Sequence, residues 1–403
     1  MKRLAAVAVL AALVWPRQAH GAEPAQAVPE PTPNSAPAPA FEPSVDVGGY
    51  INPRFEFRYR ADAFPKDEFD YGFDGGAGLI IDAKPFEMWR GKLHLLISAR
   101  VIELVSDVDN VDLNGDGSPD DSAVTTREIA LQVVQDASIT FAPIDEFGAS
   151  IGAMRIPFTL QQQSANTALI FASRSSANEI FLSGADVGAL LYGDLWDSRI
   201  VTSIGVFNGS SLGLELENTE DRGVALSFRA DINPFGAFPF GEGDQKRGPF
   251  RLGVGFGLLY KPATSFDERT GTEPHSVNDV RLAASLRMAY RGAYFAAEYF
   301  RREATDDFTF RPQIADGAYA QLAVFFNIGN FGAEPIVRAG FTAADQSFDP
   351  RLTGYTSAGI NLYPEARSDD PTRVKLSLQY VGERRFTEDE DGHGAAGALQ
   401  LKF

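Results

Sequence analysis

Hydrophobic and polar residues alternate with a period of two along most of the chain from Ser44 onward. In residues 51–60, for example, Phe55 and Phe57 alternate with Arg54 and Arg58. This period places apolar and polar side chains on opposite faces of a β-strand. A strand of a soluble sandwich shows the same alternation, but these segments run to about ten residues or more, whereas globular strands usually have about five or six. The length favours strands that cross a membrane.

Sixteen alternating segments can be placed along the chain, and the connections between them are of two kinds. An even number of antiparallel strands, joined alternately by short turns and long loops, is typical of a single-chain barrel of the bacterial outer membrane. Turns are predicted at 291–292 and 329–332, and the insert at 233–248 is too long for a turn. The predicted strands are 45–60, 71–83, 89–103, 127–142, 148–157, 185–193, 198–208, 221–232, 249–261, 278–290, 293–303, 315–327, 333–343, 354–363, 373–385 and 395–403. The predicted long loops are 104–126, 158–184, 262–277, 304–314 and 386–394.

Both ends of the chain agree with this fold class. Residues 1–22 combine a basic start, an apolar run and small residues, as in a cleaved secretory signal peptide. Residues 23–44 are rich in proline and alanine and predict a periplasmic linker. The barrel is then expected over 45–403, because no later apolar stretch reaches the roughly 18 to 20 residues of a membrane helix. Its last strand ends in Phe403, which predicts recognition by the barrel-assembly machinery and a location in the outer membrane.

Composition removes several classes of function. The 403 residues include no cysteine, which excludes disulfide scaffolds and thiol chemistry. A net charge of −18 argues against nucleic acid as a partner, because phosphate contacts need a basic surface. The four histidines are accompanied by no recognisable nucleophile motif, and the 54 acidic residues allow many carboxylate pairs without marking one out. No enzyme and no cofactor are predicted.

Charges on the polar face of the predicted strands are mostly basic, although the protein as a whole is acidic. A water-filled tube lined by arginines lowers the barrier to anions. Alternatively, these arginines pair with acids on the same face and solvate the wall. The same alternation places Arg229, Arg338 and Lys375 on this face. The predicted pore-lining residues are Arg54, Arg58, Arg90, Lys92, Arg100, Arg281, Arg287 and Arg373.

One segment interrupts the strand rhythm. Residues 152–158 read Gly-Ala-Met-Arg-Ile-Pro-Phe, and a long loop follows that contains aromatics, Arg174 and Glu179. Together with the Gly-Val-Phe-Asn-Gly run at 205–209, this segment resembles the phosphate-selective porin O and P family. The resemblance implies a sixteen-stranded, usually trimeric channel whose loop, here near 158–184, folds inward at the constriction, with Arg155 and Arg174 as constriction residues. The chain has few lysines for this family, which leaves phosphate specificity open.

An acidic loop follows the third predicted strand. Oxygen-bearing side chains recur at alternate positions, with Gly117 placed for a turn, as in a calcium-binding loop. Position twelve is Ala123 in place of the usual glutamate, so the last ligand would come from Asp121. A solvated acidic loop without metal is the alternative. The candidate ligands of this structural calcium ion are Asp112, Asn114, Asp116, Ser118, Asp120 and Asp121.

Taken together, the patterns predict a transmembrane antiparallel β-barrel that works as a porin. The expected function is passive diffusion of small hydrophilic solutes with a preference for anions, with phosphate as one candidate. A homotrimer is expected from the resemblance. The alternative is a non-conducting barrel with a structural or adhesin-like role.

Overall fold

The fold is an antiparallel barrel built from the alternating segments of the sequence. The computed structural model describes residues 42–61, 68–108, 122–182, 184–209, 224–265, 275–306, 312–346, 349–366, 368, 370–386 and 390–403. The predicted signal peptide and nearly all of the predicted linker lie outside these residues, as does the candidate calcium loop.

Seventeen strand segments are present in the described chain, and three short helical turns lie between the fifth and sixth. The first nine strands are β1 Ser44–Ala61, β2 Glu68–Phe86, β3 Trp89–Val108, β4 Ser122–Ile144, β5 Phe147–Arg155, β6 Ala185–Leu195, β7 Ile200–Phe207, β8 Ala225–Ile232 and β9 Arg251–Ser265. The remaining strands are β10 His275–Tyr290, β11 Ala293–Asp306, β12 Pro312–Val324, β13 Phe326–Ile328, β14 Phe331–Gln346, β15 Asp349–Tyr363, β16 Val374–Arg385 and β17 Glu390–Lys402. The helical turns are α1 Leu160–Gln163, a 3₁₀ turn Asn166–Ala168 and α2 Ser176–Phe181.

Each strand pairs with its neighbours in the chain, and the last strand closes the sheet on the first. Tyr50 of β1 pairs with Lys402 of β17, and the antiparallel register continues to Ala61 and Asp391. The segments β12 and β13 both pair with β14 and are separated only at Phe325, so they form one crossing of the barrel. The described strands therefore make a closed sixteen-stranded antiparallel barrel, as predicted.

The apolar face of the sheet is the outer face. In β16, Leu376, Leu378 and Tyr380 are exposed, while the alternate residues Lys375 and Ser377 are buried in the interior. A water-soluble barrel would show the opposite arrangement, whereas a barrel that faces lipid needs apolar side chains outside. The alternation in the sequence therefore sorts the side chains correctly between the two faces of β16.

The two ends of the barrel differ in their connections. At one end, which we call the short-turn end, two-residue turns such as Arg291–Gly292 join the strands, and both of these residues have positive φ, as type I′ hairpins require. Exposed aromatic residues gather there, and Phe250 contacts both Phe235 and Tyr290 edge to face, with ring centroids 5.3 and 6.4 Å apart. Such a girdle is typical of a membrane–water boundary. None of the helices in the described residues has the length and apolar character needed to cross a membrane.

Candidate functional site

The connection between β5 and β6 lies inside the barrel. We call its described residues, 156–182 and 184, the first inward segment. Its two α-helical turns begin where side chains cap them: the hydroxyl of Thr159 accepts a hydrogen bond from the Gln162 amide at 3.1 Å, and that of Ser175 accepts one from Asn178 at 3.0 Å. These caps satisfy amides that the short helices leave open. The segment thereby folds compactly where the strand pattern stops.

Apolar side chains attach the first inward segment to the inner wall. Phe181 of α2 stacks on Phe300 of β11 with the ring centroids 5.3 Å apart, and both side chains are fully buried. The wall is made of small residues where the segment approaches. A Cβ atom at Gly317, for example, would lie 2.6 Å from the Phe181 ring. Real Cβ atoms do not come that close, so glycine at position 317 is what leaves room for α2.

Polar side chains of the same wall fix the main chain of the segment. Buried main-chain carbonyls that lie outside regular structure need hydrogen-bond donors. Here the inner wall supplies them, and Glu298 of β11 in turn accepts a hydrogen bond from the Leu160 amide at 2.6 Å. The donors and acceptors are Arg229 to Phe158 (2.7 Å), Arg281 to Phe181 (3.0 Å), Arg338 to Ser173 (3.0 Å), Asn361 to Ile170 (2.7 Å) and Lys375 to Leu169 (2.7 Å).

Arg155 and Arg174 converge on the carbonyl end of α1. Arg155 donates to the main-chain oxygen of Ser164 at 3.0 Å, and Arg174 donates to the same oxygen at 3.3 Å and to that of Gln161 at 3.1 Å. Burial lowers the pKa of Arg174 from its ordinary value, and the charge of Glu179 opposes this change. Both guanidinium groups are only partly buried, so the structure places two neighbouring positive charges at one point of the interior.

A polar cluster on β1, β3 and β4 lies close to this arginine pair. Nε2 of His94 lies 3.3 Å from the hydroxyl of Tyr50, and Nδ1 lies 3.6 Å from a carboxylate oxygen of Asp136. Arg155 and Arg174 are both near enough to Tyr50 to interact with it electrostatically. The site therefore combines two cations from the inward side with hydroxyl, imidazole and carboxylate groups from the wall.

A second connection also enters the barrel, from the short-turn end. We call residues 233–250, between β8 and β9, the second inward segment. Phe238 is almost fully buried, and the Arg287 guanidinium lies over its ring at 4.4 Å and over that of Phe240 at 4.9 Å. Phe238 and Phe240 share a hydrophobic cluster with Ile170 of the first inward segment. The long insert in the sequence is thus part of the interior.

The predicted basic residues occupy three kinds of environment. Arg281 is paired with Asp279 at 2.7 Å, and Arg287 is only 2% exposed, so the charge of Arg287 is packed inside the protein and does not line open space as the alternation suggested. Arg54 lies 3.8 Å from Glu56. The exposed members of the set are Arg90, Lys92 and, in the connection before β16, Arg373. The side chains of Arg58 and Arg100 lie outside the described residues.

The candidate calcium ligands from Asp112 to Asp121 lie outside the described part of the chain. Within the described part, no group of three or more histidine, aspartate or glutamate side chains is arranged to hold a metal ion.

Two features of the site were not found from the sequence. One is the role of acids in the interior, such as Glu298 and Glu242, which bind main-chain amides of the first inward segment. The other is the close approach of that segment to β9, where a Cβ at Gly257 would collide with the Phe158 carbonyl. The sequence did contain a signal for this close approach to β9: Gly253, Gly255 and Gly257 lie at alternate positions on the inner face of that strand. Such a strip without side chains indicates that another backbone lies against it.

Solved structures of outer-membrane porins share this fold. The anion-selective porin from Comamonas acidovorans matches with a TM-score of 0.52 and 9% identity over 90% of this chain and 100% of that chain. OmpF from Salmonella typhi, in complex with daunomycin, matches with a TM-score of 0.53 and 10% identity over 89% and 97%. OprB from Pseudomonas putida at low pH matches with a TM-score of 0.51 and 9% identity over 89% and 92%.

No protein-family model matches the sequence, and no curated protein matches it. At this level of identity, the likeness to solved structures establishes the fold, which is that of the porins.

Proposed function

We propose that this protein is an outer-membrane porin through which small hydrophilic solutes diffuse, with a preference for anions. The observation that carries the proposal is the arginine pair at the first inward segment. Arg155 and Arg174 share the Ser164 carbonyl as acceptor and lie close to Tyr50 on the facing wall. A constriction that bears two adjacent cations favours anions over cations, because the interior dielectric is lower than that of bulk water.

The packing of the interior supports a channel at this position. The first inward segment is held by side chains from β8 to β16, and α2 in particular packs on β11, β12 and β14. It is thereby displaced toward one side of the barrel. The inner face of β3 carries the exposed Lys92, which adds positive charge along the other side. We propose that solutes pass between the arginine pair and the wall formed by β1 to β4.

Further parts of the proposal rest on the sequence. The resemblance to the phosphate-selective porin O and P family makes phosphate a candidate solute and a homotrimer the expected assembly. The porin from Comamonas acidovorans, which shares this fold, is anion-selective, in agreement with the sign of the selectivity that we propose. Export through a cleaved peptide at 1–22 and insertion through the final strand complete the proposed route to the outer membrane.

The test is the reversal potential of the refolded protein in a planar bilayer under a potassium chloride gradient. We expect chloride selectivity, which Arg174→Gln should reduce because it removes one of the two charges. Arg174→Lys keeps the charge and should retain most of the selectivity. Arg199→Gln, at an exposed position in the turn between β6 and β7, is the matched control and should leave the potential unchanged.

Cation selectivity of the wild type would overturn the proposed role of the arginines. A correctly folded barrel that does not conduct would overturn the channel and favour the structural or adhesin-like alternative.

A further inference from the structure

We propose that the second inward segment forms part of the constriction, and that Glu242 is the residue that positions it against the first. The inference rests on the proposed channel function but concerns a different connection, one that enters from the short-turn end. Glu242 is a positioning residue, because it affects the shape of the passage only through the groups that it binds.

Glu242 joins the two inward segments by three hydrogen bonds. Its carboxylate accepts from the Ile170 amide at 2.9 Å and from Nε2 of Gln161 at 2.8 Å, and its own amide donates to the Ala168 carbonyl at 2.8 Å. Oε1 of Gln161 in turn accepts from the Ser175 amide at 2.8 Å. Glu242 thus contacts three separate points of the first inward segment, two of them through its buried carboxylate. Hydrogen bonds to a charged acceptor are the stronger kind.

The second inward segment is itself fixed to the barrel. Asp244 is buried, forms an ion pair with Arg251, and accepts a hydrogen bond from the Gly292 amide at 2.7 Å. Arg287 donates to the Pro239 carbonyl at 2.8 Å. The segment is therefore tied to the short-turn end of the wall on one side and to the first inward segment on the other.

This arrangement makes the position of the first inward segment depend on the second. The carboxylate of Glu242 binds between Gln161 and Ile170, and Gln161 also supplies the carbonyl that receives Arg174. Replacing Glu242 by alanine would remove both carboxylate contacts, leave the Ile170 amide without its partner and loosen the contact between the two segments. The passage should become wider and less well defined, because a polar contact in the interior holds a unique arrangement only while it is satisfied.

Single-channel recording of Glu242→Ala tests this directly. We expect a larger mean conductance and greater open-channel current noise than in the wild type. Glu242→Gln retains an acceptor for one of the two side-chain contacts and should give an intermediate result. Glu146→Ala removes an exposed glutamate in the turn between β4 and β5, also at the short-turn end, and should match the wild type.

A disulfide provides the test that separates positioning from general stability. The Cβ of Ala168 lies 3.8 Å from the position that a Cβ would have at Gly241, which is the usual Cβ separation across a disulfide. The chain contains no cysteine, so Ala168→Cys and Gly241→Cys introduce a defined pair. In the Glu242→Ala background, oxidation should restore wild-type conductance and noise, and reduction should remove the effect again. A mere loss of fold stability would not follow the redox state in this way.

Several outcomes would overturn the proposal: wild-type conductance and noise in Glu242→Ala, a cysteine pair that does not oxidise in the folded barrel, or oxidation without recovery. Failure of the channel proposal is distinguishable. If the wild type does not conduct, the rate of disulfide formation, measured by mass spectrometry, still tests the placement, since it should be faster with Glu242 present than in Glu242→Ala.

Discussion

On the inner wall formed by β8 to β16, Arg229 and Glu298 are 2% exposed, whereas on the wall formed by β1 to β3, Lys92 is exposed. Both groups of side chains lie on the polar face of the same sheet. Arg229 forms two hydrogen bonds to Asp231, at 2.7 and 2.8 Å, and a third to the Phe158 carbonyl. Lys92 lies beside the cluster of Tyr50, His94 and Asp136, where its charge acts on Asp136.

The difference shows that a side chain can lie on the inner face of the barrel without having access to a channel. A strand period determines the face on which a side chain lies. Whether the side chain then meets water depends on what fills the interior at that level. On the wall of β8 to β16 the inward segments fill it, so charges there hold main chain in place. On the wall of β1 to β3, Lys92 keeps its access to solvent.

The largest expected effect is on the packed wall, from Arg229→Ala. The substitution leaves Asp231 and Glu298 buried without their cation and the Phe158 carbonyl without its donor. Breaking a buried ion pair by removing one partner costs about 3–5 kcal/mol of unfolding free energy. Urea titration of the refolded barrel in detergent micelles measures this loss. Arg199→Ala, at an exposed turn position, is the control and should change the free energy by less than about 0.5 kcal/mol. A loss below about 1 kcal/mol for Arg229→Ala would contradict the view that this wall is an anchor.

The strands were predictable because lipid on one side enforces a strict alternation. The ends of the strands were less predictable. The sequence predicts a loop over 386–394, yet β17 begins at Glu390. The fourth strand is predicted to start at residue 127, whereas β4 starts earlier, at Ser122. Beyond the lipid both faces of a strand meet water, so pairing continues while the alternation that would reveal it fades.

The interior was predictable only in part. The break in rhythm after Phe158 predicts a long loop, and only the resemblance to a porin family implied that this loop folds inward. The alternation puts Arg229, Arg338 and Lys375 on the inner face. That these three bind carbonyls of the loop could not be read from the period, because it depends on the path of a segment without regular structure. For the same reason, the insert at 233–248 was recognised as too long for a turn without any indication that it enters the barrel.

A smaller effect is expected on the wall of β1 to β3 from Tyr50→Phe, which removes a buried polar contact between β1 and β3. The substitution keeps the ring, which packs against Gly78, and removes the hydroxyl that lies 3.3 Å from His94. Loss of one hydrogen bond of this length costs roughly 0.5–1.5 kcal/mol. The same urea titration measures it. Tyr290→Phe, at an exposed position on the outer face, should be neutral. A loss as large as that of Arg229→Ala would mean that the two walls are equally dependent on buried polar contacts.

The smallest effect on stability is expected from Lys92→Gln. Of the three substitutions, this one says most about function. An exposed side chain away from caps and ion pairs contributes less than about 0.5 kcal/mol to the free energy of unfolding. Its charge nevertheless acts on solutes if the passage runs along β1 to β4. The reversal potential should therefore shift toward cations, by less than in Arg174→Gln, because Lys92 is exposed while Arg174 lies in the partly buried pair.

Arg291→Gln, in the exposed turn between β10 and β11, should leave the potential unchanged. A shift in Arg291→Gln equal to that in Lys92→Gln would mean that selectivity reflects the charge of the short-turn opening and not the wall that faces the arginine pair. A normal potential in Lys92→Gln together with a reduced one in Arg174→Gln would place the passage away from β3, because charge screening limits an exposed residue to its own neighbourhood.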